Sequence, residues 1–91
     1  MLFRSWVLPE RDRWRRQGVA AAEALAEIAL DCGHSRDAVE AATRGLAIDR
    51  YSDSLWRLLA LARERNHDVV GAARARQLYA DMLGELGLVP A

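Results

Sequence analysis

The sequence echoes itself at an interval of 34 residues, and this interval restricts the possible folds more than any other feature. Four residues of the first copy return in the second, where Leu25, Ala26, Ala38 and Ala41 become Leu59, Ala60, Ala72 and Ala75. A small residue on each helix of a hairpin lets the two backbones approach closely, and a neighbouring leucine fills the gap between them. The interval therefore predicts two stacked helical hairpins.

The same interval is that of the tetratricopeptide repeat. Its signature places Trp, Leu, a small residue and Tyr on the first helix, then Ala and Phe on the second. Both copies carry the leucine, the small residue and the second-helix alanine, while most of the large aromatic residues are not matched. The predicted repeat-packing residues are Leu25, Ala26, Ala38, Trp56, Leu59, Ala60 and Ala72.

Periodicity predicts that the first helix is long. Trp6-Val7-Leu8 is expected to be extended, because the residue before a proline avoids the helical region, and Pro9 suits a first helical turn. An apolar stripe then advances in steps of three and four residues until Gly33 ends the helix, about 24 residues after its start. The stripe consists of Trp14, Gly18, Ala21, Ala22, Leu25, Ile28, Ala29 and Cys32.

Capping residues separate three further helices, and no stretch alternates with the period of a strand. Ser35, Ser52 or Asp53, and Asp68 are the predicted N-caps. Gly87 is predicted to end the last helix, after which Leu88-Val89-Pro90 folds back. The sequence thus predicts an all-α, tetratricopeptide-like bundle of about four antiparallel helices in two hairpins, with a long first helix.

Composition narrows the functional classes. Thirteen arginines balance thirteen acidic residues, so the domain lacks the broad basic surface of a nucleic-acid binder. No apolar run approaches the length of a membrane span, and the N-terminus lacks a signal-peptide pattern, which favours a cytoplasmic protein. Charge nevertheless alternates: residues 1–18 and 50–76 are net basic, whereas 19–49 and 77–91 are net acidic. Such blocks suit helices that pair within the domain or with a second chain.

Motifs in a fixed order resemble a known family. They are the opening Trp6-Val7-x2-Glu10-Arg11, the central Asp49-x-Tyr51-x-Asp53-x-Leu55-Trp56-Arg57-Leu58-Leu59 and the closing Glu85-Leu86-Gly87-x2-Pro90. Together with the helix pattern, they resemble the C-terminal part of the bacterial transcriptional activator domain. This is the tetratricopeptide-like module of SARP-type regulators of antibiotic and secondary-metabolite pathways. The likeness covers nearly the whole chain.

The chain also departs from the family pattern. Arg50 stands where the family usually has proline, and Asn66-His67 stands in a turn where the family usually has glycine. The family also has an aromatic residue near Ala75 or Arg76, whereas here the aromatic residue is Tyr79, one helical turn later. Family members normally carry further helices upstream and, before those, a DNA-binding domain. The resemblance therefore implies a single, partial domain over residues 1–91, with no DNA-binding domain in this chain.

Few residues carry reactive chemistry. Cys32, His34, His67 and Asp68 are the nearest approach to a metal-ligand set, but they lack the paired spacings of zinc sites. Cys32 lies on the apolar stripe, where a thiol is usually inert. The sequence has no glycine-rich phosphate loop, no Ser-His-Asp set and no paired catalytic carboxylates. We therefore predict no catalytic residues, no metal and no cofactor, so the chain is not expected to be an enzyme.

These observations favour a protein–protein interaction module, which by resemblance belongs to a bacterial transcriptional regulator and supports dimerisation or contact with the transcription machinery. The expected partner is a second copy, a regulator or an RNA polymerase subunit. The candidate interface residues are Trp6, Arg11, Trp14 and Gly18, near the unstacked end. Two alternatives stay open: a generic tetratricopeptide-type scaffold unrelated to transcription, and a nucleic-acid binder through Arg4–Arg16. No direct DNA binding and no membrane association are expected.

Overall fold

The computed structural model describes the backbone of residues 2–87 and the side chains of residues 10–87. The helices are α1 (Leu2–Asp31), α2 (Ser35–Ile48), α3 (Asp53–Arg65) and α4 (Val69–Glu85), and the described residues contain no strand. Each helix packs against the next in the chain, and α1 also contacts α3. The all-α architecture with a long first helix is therefore confirmed. The predicted fold-back of Leu88-Val89-Pro90 lies outside the described residues.

The predicted start of the first helix is wrong. Helix α1 begins at Leu2, so the backbone of Trp6-Val7-Leu8 is helical and Pro9 lies inside the helix. A proline there removes one backbone hydrogen bond, because it has no N–H to donate to the carbonyl of Ser5. The bias that a proline imposes on the preceding residue is a preference, and helices that contain proline override it.

The core consists mainly of alanines at the places where helices touch. The buried apolar residues are Ala22, Ala26, Leu30, Ala38, Ala42, Leu55, Leu59, Ala60, Ala62, Ala72, Ala75 and Met82. Gly45 is also buried, and a Cβ atom there would lie 2.7 Å from Ala22 Cβ and 2.6 Å from Leu55 Cδ1. Small residues thus allow α1, α2 and α3 to approach one another closely around Gly45.

The two hairpins turn in the same way, 34 residues apart. Gly33 and His67 both adopt left-handed backbone conformations, with φ of 78° and 61°. The residues that follow them, His34 and Asp68, are the N-caps of α2 and α4 and have similar φ and ψ angles. Gly33 ends the first helix as predicted, and His67 takes the same conformation without being glycine. The repeat therefore extends to the backbone of the turns.

Side-chain capping differs between the helices. The predicted caps Ser52 and Asp68 are confirmed, because Ser52 Oγ accepts from the Leu55 N–H at 3.4 Å and Asp68 Oδ1 from the Gly71 N–H at 2.9 Å. The prediction for Ser35 is wrong: it is the first residue of α2, and the N-cap is His34, whose side chain makes no cap hydrogen bond. Because of the turn at Gly33, α2 begins at Ser35, one residue earlier than it would with Ser35 as its N-cap.

Candidate functional site

One face of the first hairpin forms an apolar groove between α1 and α2. Helix α1 lines it with Gly18, Ala21, Ala22, Leu25, Ile28 and Ala29, the turn after α1 with Cys32, and α2 with Ala41, Gly45 and Ile48 among others. Several of these side chains remain open to solvent: Leu25 is 59% exposed, Ile28 60% and Ile48 42%. We call this surface the α1/α2 groove.

The repeat explains why the groove is open. Leu59 lies 34 residues after Leu25 and occupies the equivalent position of the second hairpin, yet it is only 4% exposed. Ala62, the equivalent of Ile28, is fully buried. In the second hairpin this face packs against the first hairpin, where Leu59 belongs to one core cluster with Ala26 and Ala42. The groove is thus the face that a further helical element would cover in a continuing stack.

The predicted buried stripe of α1 differs from the observed one. Trp14, Leu25 and Ile28 are exposed, whereas Ala22, Ala26 and Leu30 are buried. Helix α1 packs against both α2 and α3. Its buried face therefore runs along Ala22, Ala26 and Leu30, to one side of the predicted stripe. The role assigned to Leu25 in packing within the hairpin is therefore wrong, since its side chain faces the groove.

The other repeat-packing residues lie between helices. Ala26, Ala38, Leu59, Ala60 and Ala72 are all buried. Trp56 is half-buried and packs against the cluster that contains Leu59. The signal for the true buried stripe of α1 was present in the sequence, because Ala22, Ala26 and Leu30 follow one another at steps of four residues.

The four candidate interface residues have different surroundings. Trp14 is 66% exposed and lies one helical turn before Gly18 on the same face, so it continues the groove along α1. Gly18 is half-buried, and a Cβ atom there would lie 2.9 Å from Ile48 Cδ1, so this glycine admits the end of α2. Arg11 is exposed. The side chain of Trp6 lies outside the described residues.

Charge is distributed unevenly along the groove. Asp37, Glu40 and Arg44 line its α2 edge, and Asp31 is exposed where α1 ends. At the opposite end of α1, Glu10 and Asp12 are outnumbered by the exposed arginines Arg11, Arg13, Arg15 and Arg16. Exposed Arg36 lies at the same end as Asp31, so that end has a net charge of −1 (Asp31, Asp37 and Glu40 against Arg36 and Arg44). The arginine-rich end, which has a net charge of +2, lies beside Trp14.

An interaction that the sequence did not reveal joins the middle of the chain to its last helix. The Arg50 guanidinium pairs with the Glu85 carboxylate and lies 4.9 Å from the centre of the Tyr51 ring. Tyr51 and Glu85 raise the pKa of Arg50 above its ordinary value. The Trp56 indole N–H donates to the Arg50 carbonyl at 2.7 Å. Arg50, which stands where the resembled family has proline, thus links the α2–α3 turn to α4.

The outer face of the second hairpin carries an ion pair between its two helices. Arg76 Nη2 pairs with Glu64 Oε2 at 2.6 Å across α3 and α4, and this pair lies beside Ala60, Leu61 and Tyr79. A charged pair at the end of a helical stack suits contact with water. The two ends of this stack differ in how far their large apolar side chains are open to solvent, since Leu61 is 37% exposed whereas Leu25 and Ile28 are 59% and 60% exposed.

Reactive groups are dispersed. Cys32 and His34 lie at the turn of the first hairpin, and His67 and Asp68 lie at the turn of the second. Within residues 10–87, whose side chains the structure describes, no three His, Cys, Asp or Glu residues are grouped as a metal site requires. The described helices also include none with both the length and the apolar character of a membrane span.

Comparison with known proteins places the chain in a family. No curated protein and no solved structure gave a significant match. Residues 2–91, nearly the whole chain, match the family described as the bacterial transcriptional activator domain, which confirms the resemblance drawn from the motifs. This is a family of regulatory domains, not of enzymes, and it implies a role in the regulation of bacterial transcription. The chain belongs to the bacterial transcriptional activator domain family.

Proposed function

We propose that this domain is a protein–protein interaction module of a bacterial transcriptional regulator, and that it supports dimerisation or contact with the transcription machinery. One observation carries the proposal: Leu25 is 59% exposed, whereas Leu59 at the equivalent repeat position is 4% exposed. Fully burying a leucine stabilises a complex by about 1.5–3 kcal/mol. Because Leu25 and Ile28 are 59% and 60% exposed, a partner that covers the α1/α2 groove would gain roughly half of this contribution from each.

The residue types around the groove support the same function. Trp14 adds a large, largely exposed aromatic surface to one end, and Arg11 lies one turn further along α1. Tryptophan and arginine are over-represented among the residues that dominate binding energies at protein interfaces. A regulator that holds its partner through this face would use Trp14 as an anchor and the groove as the surrounding apolar contact.

The proposal does not include direct contact with DNA by this chain. The arginines of the 11–16 segment share α1 with Glu10 and Asp12, and the chain has no net charge. Counterion release from phosphates, which provides most non-specific DNA affinity, would therefore be small. The alternative of a scaffold unrelated to transcription is disfavoured by the family match.

Sedimentation velocity tests the proposal, using the chain alone and the chain mixed with purified bacterial RNA polymerase holoenzyme. We expect the chain to associate with itself, with the polymerase or with both, and Leu25→Arg to abolish that association by placing a charge in the groove. Val70→Arg is the matched control, because Val70 is 80% exposed but lies on α4 outside the groove. Absence of both associations at tens of micromolar, or their persistence in Leu25→Arg, contradicts the proposal.

A further inference from the structure

We propose that the occupant of the α1/α2 groove is α1 of a second copy of this chain, packed antiparallel to give a two-fold symmetric dimer. The inference rests on the proposed function and names the partner of the same surface. It is carried by three observations: the spacing of the groove residues on α1, the sizes of the side chains at those positions, and the distribution of charge along the helix.

The first observation is the spacing. The seam that lines the groove contains the exposed Trp14, Ala21, Leu25 and Ile28 and the half-buried Gly18 on α1, and exposed Cys32 directly after it. These residues follow one another at steps of four, three, four, three and four. This is the heptad spacing by which one helix presents a continuous seam to another. The steps are the same when the helix is read backwards, so two copies of α1 can align antiparallel about position 23 with every seam residue facing another.

The second observation is the size of the facing side chains. In this register Trp14 faces Cys32, Gly18 faces Ile28, and Ala21 faces Leu25. Each layer pairs a large residue with a small one, which is how facing positions interdigitate without voids. A parallel dimer in register would instead place Gly18 opposite Gly18 and Trp14 opposite Trp14. The side-chain sizes along the seam are therefore complementary when two copies run antiparallel, and not when they run parallel.

The end of α2 is compatible with the Gly18 layer. Ile48 reaches the space beside Gly18, where its Cδ1 atom would be 2.9 Å from a Cβ atom on that residue, and it is still 42% exposed. The partner's Ile28 side chain would therefore pack on both Gly18 and Ile48. Because the symmetry is two-fold, this contact occurs twice.

The third observation is charge. The antiparallel register places the Arg11–Arg16 segment of one copy against the end of the other where α1 finishes and α2 begins. Exposed Asp31 and Asp37 lie at that end together with exposed Arg36, and Glu40 lies one turn further along α2, so the end is acidic on balance. Two-fold symmetry brings the basic segment and the acidic end together at both ends of the dimer, whereas a parallel pairing would place arginines against arginines. Opposite charges at these positions favour the antiparallel register.

Exchanging the two residues of the central layer, Ala21 and Leu25, tests this register. Ala21→Leu alone would put leucine against leucine, and Leu25→Ala alone would put alanine against alanine. The double variant Ala21→Leu with Leu25→Ala restores a large–small pair in each layer. Both positions are exposed in the single chain, so the changes act mainly on association. By sedimentation equilibrium, we expect each single variant to weaken the dimer by at least about tenfold, and the double variant to return to within roughly threefold of the unchanged chain.

Oxidative cross-linking provides an independent readout of orientation. Cys32 is the only cysteine of the chain and is exposed, so the variant Trp14→Cys adds one further thiol. Within one chain, positions 14 and 32 are separated by more than half the length of α1, about 27 Å, so a disulfide between them must join two copies. We expect peptide mapping to find the 14–32 linkage. Linkages between like positions, or no 14–32 linkage at a concentration where sedimentation equilibrium shows the variant to be dimeric, contradict the antiparallel register.

The possible outcomes distinguish this inference from the proposed function. Recovery of the dimer in the double variant together with a 14–32 linkage supports the antiparallel pairing. A dimer that does not recover in the double variant overturns the register, while the surface keeps its role in association. A chain that stays monomeric up to high micromolar concentration but binds the polymerase through Leu25 overturns the second copy as the occupant. In that last case the proposed function stands.

Discussion

Leu25 and Leu59 occupy the same position in two copies of one repeat, and they differ almost completely in burial. The two helices that carry them, α1 and α3, share the Leu-Ala pair and are each followed by a turn with a left-handed residue. Leu59 is buried because the first hairpin packs against its face of α3, whereas no described element covers the same face of α1. In a stacked repeat, therefore, the neighbouring unit decides whether a position becomes core or surface.

The two outer faces of the stack extend this comparison. The outer face of the second hairpin has the Arg76–Glu64 pair at 2.6 Å beside Leu61, which is 37% exposed. The outer face of the first presents Leu25, Ile28 and Trp14, each at least 59% exposed. Charged pairs at the surface contribute little free energy but are compatible with water. Large apolar groups grouped on one surface mark a place of association. The end of the stack that begins with α1 is therefore the end at which we place the partner.

The largest expected difference in the free energy of unfolding is between alanine variants of Leu59 and Leu25. Leu59→Ala should lower the free energy of unfolding by about 2–5 kcal/mol, because it leaves a cavity between the hairpins. Leu25→Ala should change it by less than about 0.5 kcal/mol, because the side chain is exposed. Urea denaturation at low protein concentration, where association contributes little, measures both values. Equal losses for the two variants would show that the groove is covered within a single chain.

A smaller difference in stability is expected when buried and exposed alanines are replaced by leucine. Ala38→Leu and Ala72→Leu should each destabilise the domain by about 1–3 kcal/mol, since both alanines are buried where the helices of a hairpin touch. Ala47→Leu is the control, because Ala47 is exposed on the same helix as Ala38. Thermal or chemical denaturation gives the three midpoints. Similar midpoints for all three would mean that the 34-residue interval does not mark close helix contacts.

The smallest effects concern the N-caps of α2 and α4. Asp68→Ala should cost about 1 kcal/mol, because it removes the hydrogen bond that Asp68 accepts from the Gly71 N–H. His34 has nearly the same backbone conformation without a cap bond, so His34→Asn should raise stability by about 0.5–1 kcal/mol. The change in denaturation midpoint measures both. If His34→Asn destabilises the domain, the two turns are not equivalent.

The sequence by itself determined the features that depend on local chemistry. Gly33, Ser52 and Asp68 mark helix ends because each satisfies a requirement of backbone geometry or hydrogen bonding that a few residue types meet. The 34-residue interval identified the hairpins, and ordered motifs such as Leu55-Trp56-Arg57 identified the family. None of these inferences needs knowledge of which helix lies beside which.

The tertiary structure decided what depends on several neighbours at once. Helix α1 carries two possible apolar stripes, one through Leu25 and one through Ala26 and Leu30, and both have helical spacing. Contact with α2 and α3 together selects the second stripe, because alanines permit the close approach that three helices need. The first stripe is left open as the groove. The Arg50–Glu85 pair likewise joins residues 35 positions apart, and only the packing of α4 brings them together.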